Sequence, residues 1–399
     1  MLFFKKKKAE PKKPLGLYVH IPFCVKKCNY CDFLSAPADD ATKKRYVDAL
    51  CKEIKSYKEL TKEYALTTIY FGGGTPSVLE VSLLEQLLTA IKESFSVDMA
   101  AAEVTLEVNP GTASLDKLKR YRELGINRLS IGVQSAKAEE LELLGRIHSF
   151  EDAKNTVQWA REAGFDNISL DLISALPGQS LADYQANVEA ILFLNPEHIS
   201  SYSLIIEEGT PFFERYGEGK EQENDLPEEE TDRAMYAYTK ERLQQAGYER
   251  YEISNYAKTG FESRHNSSYW TGTEYLGVGL GASSLFTNAR YHNETDLSAY
   301  MEEIEAGKDV RREIERLVLE EQMEEFMILG LRCMCGVSRA EFQQRFGRAL
   351  ETVYGSALKK LEKQGLLKIE GDRVALTGLG IDVSNQVFVE FVPEDFVRR

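Results

Sequence analysis

Short apolar, β-branched runs alternate along the chain with stretches whose apolar positions recur every three or four residues. The runs fall at 17–21, 67–71, 104–108, 128–133, 168–173 and 199–204. Between them lie sets such as Tyr46, Ala49, Leu50, Ile54 and Leu83, Leu84, Leu87, Leu88, Ile91. The first pattern predicts strands and the second amphipathic helices. Regular strand–helix alternation implies parallel strands joined by right-handed crossovers. Six such units are too few for a closed eight-stranded barrel, so the α/β fold expected is a partial (β/α)6 barrel or open curved sheet. Sites on such sheets lie at the C-terminal ends of the strands.

The unusual residues follow the runs in that way. Cys24 to Cys31 come after the first and Gly72 to Pro76 after the second. Glu107 closes the third, Gln134 the fourth, and Asp171 lies near the end of the fifth. Buried parallel strands are usually apolar throughout, so these polar positions are read as facing a ligand.

The rest of the chain has a different texture. Residues 1–14 carry a lysine cluster and two prolines and read as a basic flexible tail, with 15–217 forming the partial barrel. An acidic connection at 218–232, with eight acidic residues against one lysine, opens a segment 218–312 that becomes rich in tyrosine and glycine. Pro227 is expected to start a helix there. In 313–399, helices at 320–334 and 354–364 precede strands at 366–370 and 373–376, a C-terminal α+β extension ending in a small winged-helix-like domain. Its basic and acidic residues from 340 onward balance at nine each, so a lid or docking role is preferred to DNA binding.

Composition narrows the classes. A net charge of −15 argues against nucleic-acid binding. No apolar run approaches the ~20 residues of a membrane span, and the early lysines leave no secretory h-region, so a cytoplasmic protein is expected. Six cysteines do not make a disulfide framework in a chain this long, and three of them fall within eight positions. That clustering suggests metal or redox chemistry. Cys333 and Cys335, at the expected end of the 320–334 helix, and Cys51 are read as buried packing residues.

Cys24, Cys28 and Cys31 form CxxxCxxC within HIPFCVKKCNYCDF. Three thiolates on one tight loop suit a cubane 4Fe-4S cluster with one iron left open; the alternative is a structural zinc loop completed by His20. This motif after the first strand of a βα repeat resembles the radical S-adenosylmethionine (radical SAM) superfamily, in which the open iron binds the methionine part of the nucleotide. The oxygen-independent coproporphyrinogen III oxidase-like subgroup is the most similar. That resemblance implies S-adenosylmethionine contacts from Tyr18, Tyr30, Gly73, Gly74, Thr75, Glu107, Gln134, Arg146 and Asp171. Gly74, Thr75, Gln134, Arg146 and Asp171 also match positions that line a second nucleotide site in the family oxidase. Read on its own, the glycine run is a place where backbone amides and carbonyls approach a ligand closely.

Two departures separate a carrier from an oxidase within the subgroup. The oxidase pattern continues CxxxCxxCxC, but Phe33 stands at the fourth cysteine. The run His265-Asn266-Ser267-Ser268-Tyr269-Trp270 matches the HNxxYW motif of the subgroup's haem chaperones. The resemblance therefore implies haem contacts from His265, Asn266, Tyr269 and Trp270, with no catalytic residue assigned. His265 and Tyr269 would share one side of a helix. The expected function is haem binding and transfer to an acceptor protein; the alternative is oxidative decarboxylation of coproporphyrinogen, and a different methyl- or hydrogen-transfer enzyme ranks third. An electron donor is implied, and a homodimer or transient contact of the basic tail with a membrane is compatible with the pattern. The glycine run 277–281 lacks dinucleotide-fingerprint spacing and is expected to pack the sheet closely.

Overall fold

The computed structural model describes residues 11–392. Six parallel strands form the centre of one open, twelve-stranded sheet. They are β1 (Lys13–Ile21), β2 (Tyr64–Gly73), β3 (Glu103–Val108), β4 (Arg128–Gln134), β5 (Ile168–Ser174) and β6 (His198–Ser203). They pair in chain order, each through a crossover helix. The partial-barrel expectation holds. Of the basic tail, residues 1–10 lie outside the described residues, and Lys13 and Pro14 already belong to β1.

Both edges of the six-stranded unit are extended. Beyond β6 lie β7 (Glu249–Arg250) and β8 (Asn255–Ala257), with β8 antiparallel to β6. Beyond β1 lie β9 (Tyr275–Val278), β10 (Ser283–Phe286), β11 (Ala289–Asn293) and β12 (Arg311–Arg316). β9 runs parallel to β1, and the tight β9–β10 approach requires Gly277: a Cβ there would lie 2.2 Å from the Ser283 carbonyl oxygen. The expected close packing of the 277–281 run is present.

Side chains alternate along the central strands, as a pleated backbone demands, apart from register shifts between β1 and β2 and between β4 and β5. Leu15, Leu17, Val19 and Ile21 of β1, Val104, Leu106 and Val108 of β3, and Leu129, Ile131 and Val133 of β4 join the main apolar core under the helices. The intervening positions are polar: His20, Thr68, Glu103, Thr105, Arg128, Ser130, Ser169, His198 and Ser200 are all buried. This corrects the reading that a polar residue in these strands marks a ligand. At the N-terminal half of the barrel several of these side chains bond one another and a plug formed by residues 251–270, while Thr105 Oγ1 and Arg128 Nε and Nη1 are buried without a hydrogen-bond partner. Ser169 bonds His198 Nδ1 at 2.7 Å, and His198 Nε2 bonds the Tyr251 hydroxyl at 2.8 Å. The Glu103 carboxylate accepts from the backbone N–H groups of Arg264 and His265 at 3.0 and 2.9 Å.

The helices are well capped. Ser149–Asp152 and Ser180–Asp183 form reciprocal capping boxes at Phe150–Glu162 and Leu181–Phe193. The acidic connection leads into helix Glu229–Gln245, which begins two residues after Pro227. C-terminal to β12, helix Leu319–Gly330, helices Arg339–Phe346 and Leu350–Lys363, and the antiparallel sheet β13 (Val337–Ser338), β15 (Arg373–Leu376), β14 (Leu367–Glu370) enclose a separate apolar core around Met327, Phe342, Leu350 and Val374. The first of these helices is shorter than expected, ending at Gly330, so Cys333 and Cys335 lie in the turn after it. Cys335 is exposed and Cys333 only half-buried, against the expectation of buried packing; Cys51 is buried as expected. Among the described residues no helix is long and apolar enough to cross a membrane.

Candidate functional site

One pocket opens at the C-terminal ends of β1 to β5, and Cys24, Cys28 and Cys31 all line it. The loop that carries them is held by backbone bonds from Cys24 to the Ala36 carbonyl (3.2 Å) and from Ala36 to that of Pro22 (3.0 Å). Asn29 N–H donates to Leu144 O at 3.0 Å and the Asn29 side chain to Leu143 O at 2.8 Å, tying the loop to the end of a neighbouring helix. Two polar groups already face the sulfurs: Thr75 Oγ1 approaches Cys24 Sγ at 3.5 Å and Arg146 Nη1 approaches Cys28 Sγ at 3.6 Å. Burial raises the Cys31 thiol above its ordinary range.

His20 belongs to no metal set here. Its Nδ1 is bonded to the Tyr18 hydroxyl and its Nε2 to the Leu34 carbonyl, each at 3.0 Å, so both nitrogens are spent. Among the described residues no three His, Cys, Asp or Glu side chains converge as ligands of a single ion. Three separate thiols suit a cluster in which each holds its own iron.

Tyr30, Gly73, Gly74, Thr75, Glu107, Gln134, Arg146 and Asp171 line the same pocket as the cysteines. Tyr18 does not. It stacks on Tyr70 at 6.2 Å and faces the adjoining groove. The amides of the glycine run are taken by the protein itself. The amides of Gly73, Gly74 and Thr75 donate to Glu107 Oε2, Ile21 O and Phe23 O at 3.2, 2.9 and 2.8 Å, so none is free for a ligand. The missing Cβ atoms make room for the protein itself. A Cβ on Gly74 would stand 2.8 Å from Phe23 O and 3.0 Å from Cys24 Sγ; on Gly73, at φ +112°, it would meet the His20 ring at 2.5 Å.

Two carboxyls set the pocket's electrostatics. Burial pushes Glu107 up to about 7, against a Tyr70 hydroxyl bond of 2.8 Å that favours the anion. Burial likewise raises Asp171, which accepts from Ser130 Oγ at 3.3 Å. Neither has an ion-pair partner within 4.0 Å among the described residues, and a bound cation would favour ionisation of both. The donor set therefore fits an iron–sulfur cluster and a cationic sulfonium or ammonium ligand.

Asn109 and Ser130, outside the sequence expectation, also line the pocket. Asn109 Nδ2 donates to Thr75 Oγ1 and its Oδ1 accepts from Arg146 Nη2, both at 2.8 Å, joining two chosen residues. The sequence signal was its place directly after the β3 run. Gln134 adopts φ +68° at a register shift between β4 and β5, which turns its side chain into the pocket. Such backbone strain in a non-glycine residue recurs at functional sites.

The HNxxYW motif forms helix Arg264–Trp270, capped by Ser263. Tyr269 and Trp270 line a groove of about 570 Å³ that also contains Asp32, Phe33 and Leu34 of the cysteine loop, together with Tyr275, Leu280, Leu285 and Arg290. His265 and Asn266 line neither this groove nor the cysteine pocket. His265 is 1% exposed. Its Nδ1 is bonded to Thr68 Oγ1 and its Nε2 to the Tyr269 hydroxyl, both at 2.8 Å, and its ring stacks on Tyr70 at 5.0 Å. This corrects the expectation of a haem contact at His265: it has no free nitrogen and instead fixes Tyr269.

An open six-stranded parallel sheet with a three-thiol loop over its C-terminal edge defines a radical SAM protein. The sequence matches the radical SAM superfamily over residues 18–191 and the HemN C-terminal domain over 317–383. It is 38% identical to the haem chaperone HemW of Lactococcus lactis, covering 96% of this chain and 98% of that protein, and 38% identical to the haem chaperone HemW of Bacillus subtilis over 94% and 99%. The zebrafish mitochondrial radical S-adenosyl methionine domain-containing protein 1 is 36% identical over 91% of this chain and 84% of that one. The chain thus belongs to the HemW family of radical SAM proteins. The solved coproporphyrinogen III oxidase HemN of Escherichia coli superposes with a TM-score of 0.84 at 25% identity, over 96% of this chain and 90% of the other.

Proposed function

We propose that this chain binds haem and passes it to an acceptor protein. In this reading Cys24, Cys28 and Cys31 hold a 4Fe-4S cluster, and S-adenosylmethionine occupies the pocket of Tyr30, Gly73, Gly74, Thr75, Glu107, Gln134, Arg146 and Asp171. The observation that carries it is the shared groove: residues 32–34 of the cysteine loop and the aromatic pair Tyr269–Trp270 line one space. A flat apolar macrocycle there would lie against aromatic faces while the cluster loop forms the opposite wall. Arg290, at the groove's rim, offers a cation for a haem propionate, although it already pairs with Glu325 at 2.7 Å. When bound, the cluster would supply one-electron chemistry at the nucleotide's sulfonium. The chain's own part is to hold that cation with Glu107 and Asp171 and to orient Cys28 through Arg146. An electron donor is required for any such turnover.

Phe33, 63% exposed in the groove, takes the place of the oxidase's fourth cysteine. Reduced, cluster-loaded protein given coproporphyrinogen and S-adenosylmethionine should form no protoporphyrinogen, and added haem should give a Soret band at about one per chain. Multiple turnover would establish the oxidase instead, the reading that the HemN superposition favours. Replacing Cys24, Cys28 and Cys31 together with serine should abolish the brown absorbance; full iron retention would refute the ligand set.

A further inference from the structure

A cation lies beneath the nucleotide pocket with nothing to pair with. Arg128 opens β4 and is 1% exposed. Its Nε and Nη1 meet no acceptor, and its guanidinium joins no ion pair among the described residues. Thr105, its neighbour in the β3–β4 register, has a buried hydroxyl that is likewise unpartnered. An unpaired buried charge is expensive, and an apolar side chain in its place often stabilises a fold. Costs of this kind persist at functional sites. The pleat puts Arg128, Ser130 and Gly132 on the inner face of β4, and Ser130 Oγ lies 3.3 Å from Asp171 Oδ1. Arg128 therefore stands about 7 Å further down the barrel than the residue that holds Asp171, on the side away from the pocket mouth.

We infer that Arg128 is a positioning residue for the nucleotide: from below the pocket its charge keeps Glu107 and Asp171 ionised to receive a cationic ligand. The inference rests on the S-adenosylmethionine reading above. Tyr70, Glu107, Asp171, His198, Tyr251 and His265 are the groups whose ionisation this charge affects. Glu103, on the same inner face, is held instead by the amides of Arg264 and His265. Burial keeps those two histidines and two tyrosines neutral at pH 7, and does the same for Tyr18, Tyr202 and Tyr269 beside the carboxyls. Among these groups, titration near neutrality is thereby confined to Glu107 and Asp171. Burial raises both; Asp171 adds to the rise of Glu107, and Arg128 opposes it at each. Two carboxylates and one guanidinium leave a single negative charge, which one sulfonium or ammonium neutralises. Without Arg128 the two carboxylates would face each other with no buried cation behind them, and one would keep its proton. Arg146 does not replace it, since its guanidinium is committed to Cys28 Sγ, Asn109 Oδ1 and Gly132 O. Arg128 also repels a bound cation, but from behind the carboxylates, so its net effect is attractive wherever it decides their ionisation.

The test is equilibrium dialysis of labelled S-adenosylmethionine against the full chain with its iron–sulfur cluster reconstituted, repeated from acid to alkaline pH. Arg128→Met should bind roughly tenfold more weakly than wild type at neutral pH, and the gap should close toward about pH 9, where the carboxyls ionise without help. Ligand-free Arg128→Met should load the same iron per chain and resist denaturant at least as well as wild type, because an unpaired charge has left the core. Should that variant not fold, Arg128→Gln, polar but neutral, carries the same expectation for binding. Arg128→Lys restores the cation and should recover most of the affinity. A purely structural arginine gives another pattern: lower stability, with any loss of binding the same at every pH. That pattern, or unchanged binding in both neutral variants, overturns this inference alone. Wild-type protein that binds no S-adenosylmethionine overturns the nucleotide-pocket reading with it.

Discussion

Replacing His265 with alanine separates a structural role from iron ligation. The change removes bonds to Thr68 and Tyr269 and the ring stacked on Tyr70. Thr68 is 2% exposed, so its hydroxyl loses its partner in a place that water does not reach. An unsatisfied buried polar group costs about 1–3 kcal/mol, and the vacated ring leaves a cavity whose lining loses its contacts. The expected destabilisation is about 3–5 kcal/mol, among the larger values for one substitution. Tyr269→Phe removes only the Nε2 partner and should cost about 1–2 kcal/mol. Because the two side chains share a bond, the double variant should be more stable than the sum of the singles predicts, by about 0.5–2 kcal/mol. Denaturant titration of the cluster-free protein reads these values. Haem affinity should fall only as far as Tyr269 loses its orientation, and added imidazole should not restore a wild-type spectrum. A His265→Ala protein of unchanged stability whose haem spectrum is rescued by imidazole would refute this account and return His265 to the iron.

Other outcomes follow from the same geometry. Burial holds His265 near 3, below the ordinary 6.5, so the unfolded chain takes up the proton first; His265 should contribute up to about 1.4 kcal/mol of lost stability per unit as pH drops below 6.5, beside the like contributions of buried His20, His148 and His198, and His265→Ala should lessen the slope by that share. Glu107 runs the other way: with its carboxyl at about 7 in the fold, ligand-free stability falls as pH rises from 4.5 through 7, while affinity for a cationic ligand rises over the same range. Equilibrium binding of S-adenosylmethionine should therefore weaken about tenfold per unit below pH 7, and Glu107→Gln should flatten that profile. Gly74→Ala forces a Cβ to within 3.0 Å of Cys24 Sγ, so reconstituted iron per chain should drop well below wild type; full iron loading would show that the loop yields. Gly277→Ala places a methyl 2.2 Å from Ser283 O and should lower the thermal midpoint without affecting iron content in the protein that remains folded.

The six strands were legible because their runs are short, β-branched and separated by helical periodicity, and each predicted run lies within one strand or overshoots its end by a single residue. Their extensions were not legible. β7 and β8 contribute two and three residues, and β9 enters the sheet beside β1 from more than two hundred residues away; no local pattern encodes such a partner. The expected helix 320–334 overruns the observed Leu319–Gly330 because Leu331 and Met334 continue the apolar spacing. The chain actually turns after Gly330, where a Cβ would meet Val337 Cγ1 at 2.4 Å.

The site divides along the same line. Spacing within one loop, as in the three cysteines, survives folding unchanged. Position at or just past the end of a strand run placed Glu107, Gln134 and Asp171 at the C-terminal end of the sheet. What spacing cannot carry is which face of a buried group is already occupied. Tyr18 and His20 sit two residues apart on the barrel's inner face, yet they bond each other and reach neither cluster nor nucleotide pocket. His265 and Tyr269 lie four apart on a helix, as expected, but the helix turns the histidine inward to Thr68 and leaves Tyr269 and Trp270 at the groove. The polar lining of the barrel explains why. Helix Arg264–Trp270 closes the bottom of the barrel, and a plug set against polar strands must present donors and acceptors to them. A buried histidine meets that need with both nitrogens, which is the reason it has none to offer a metal.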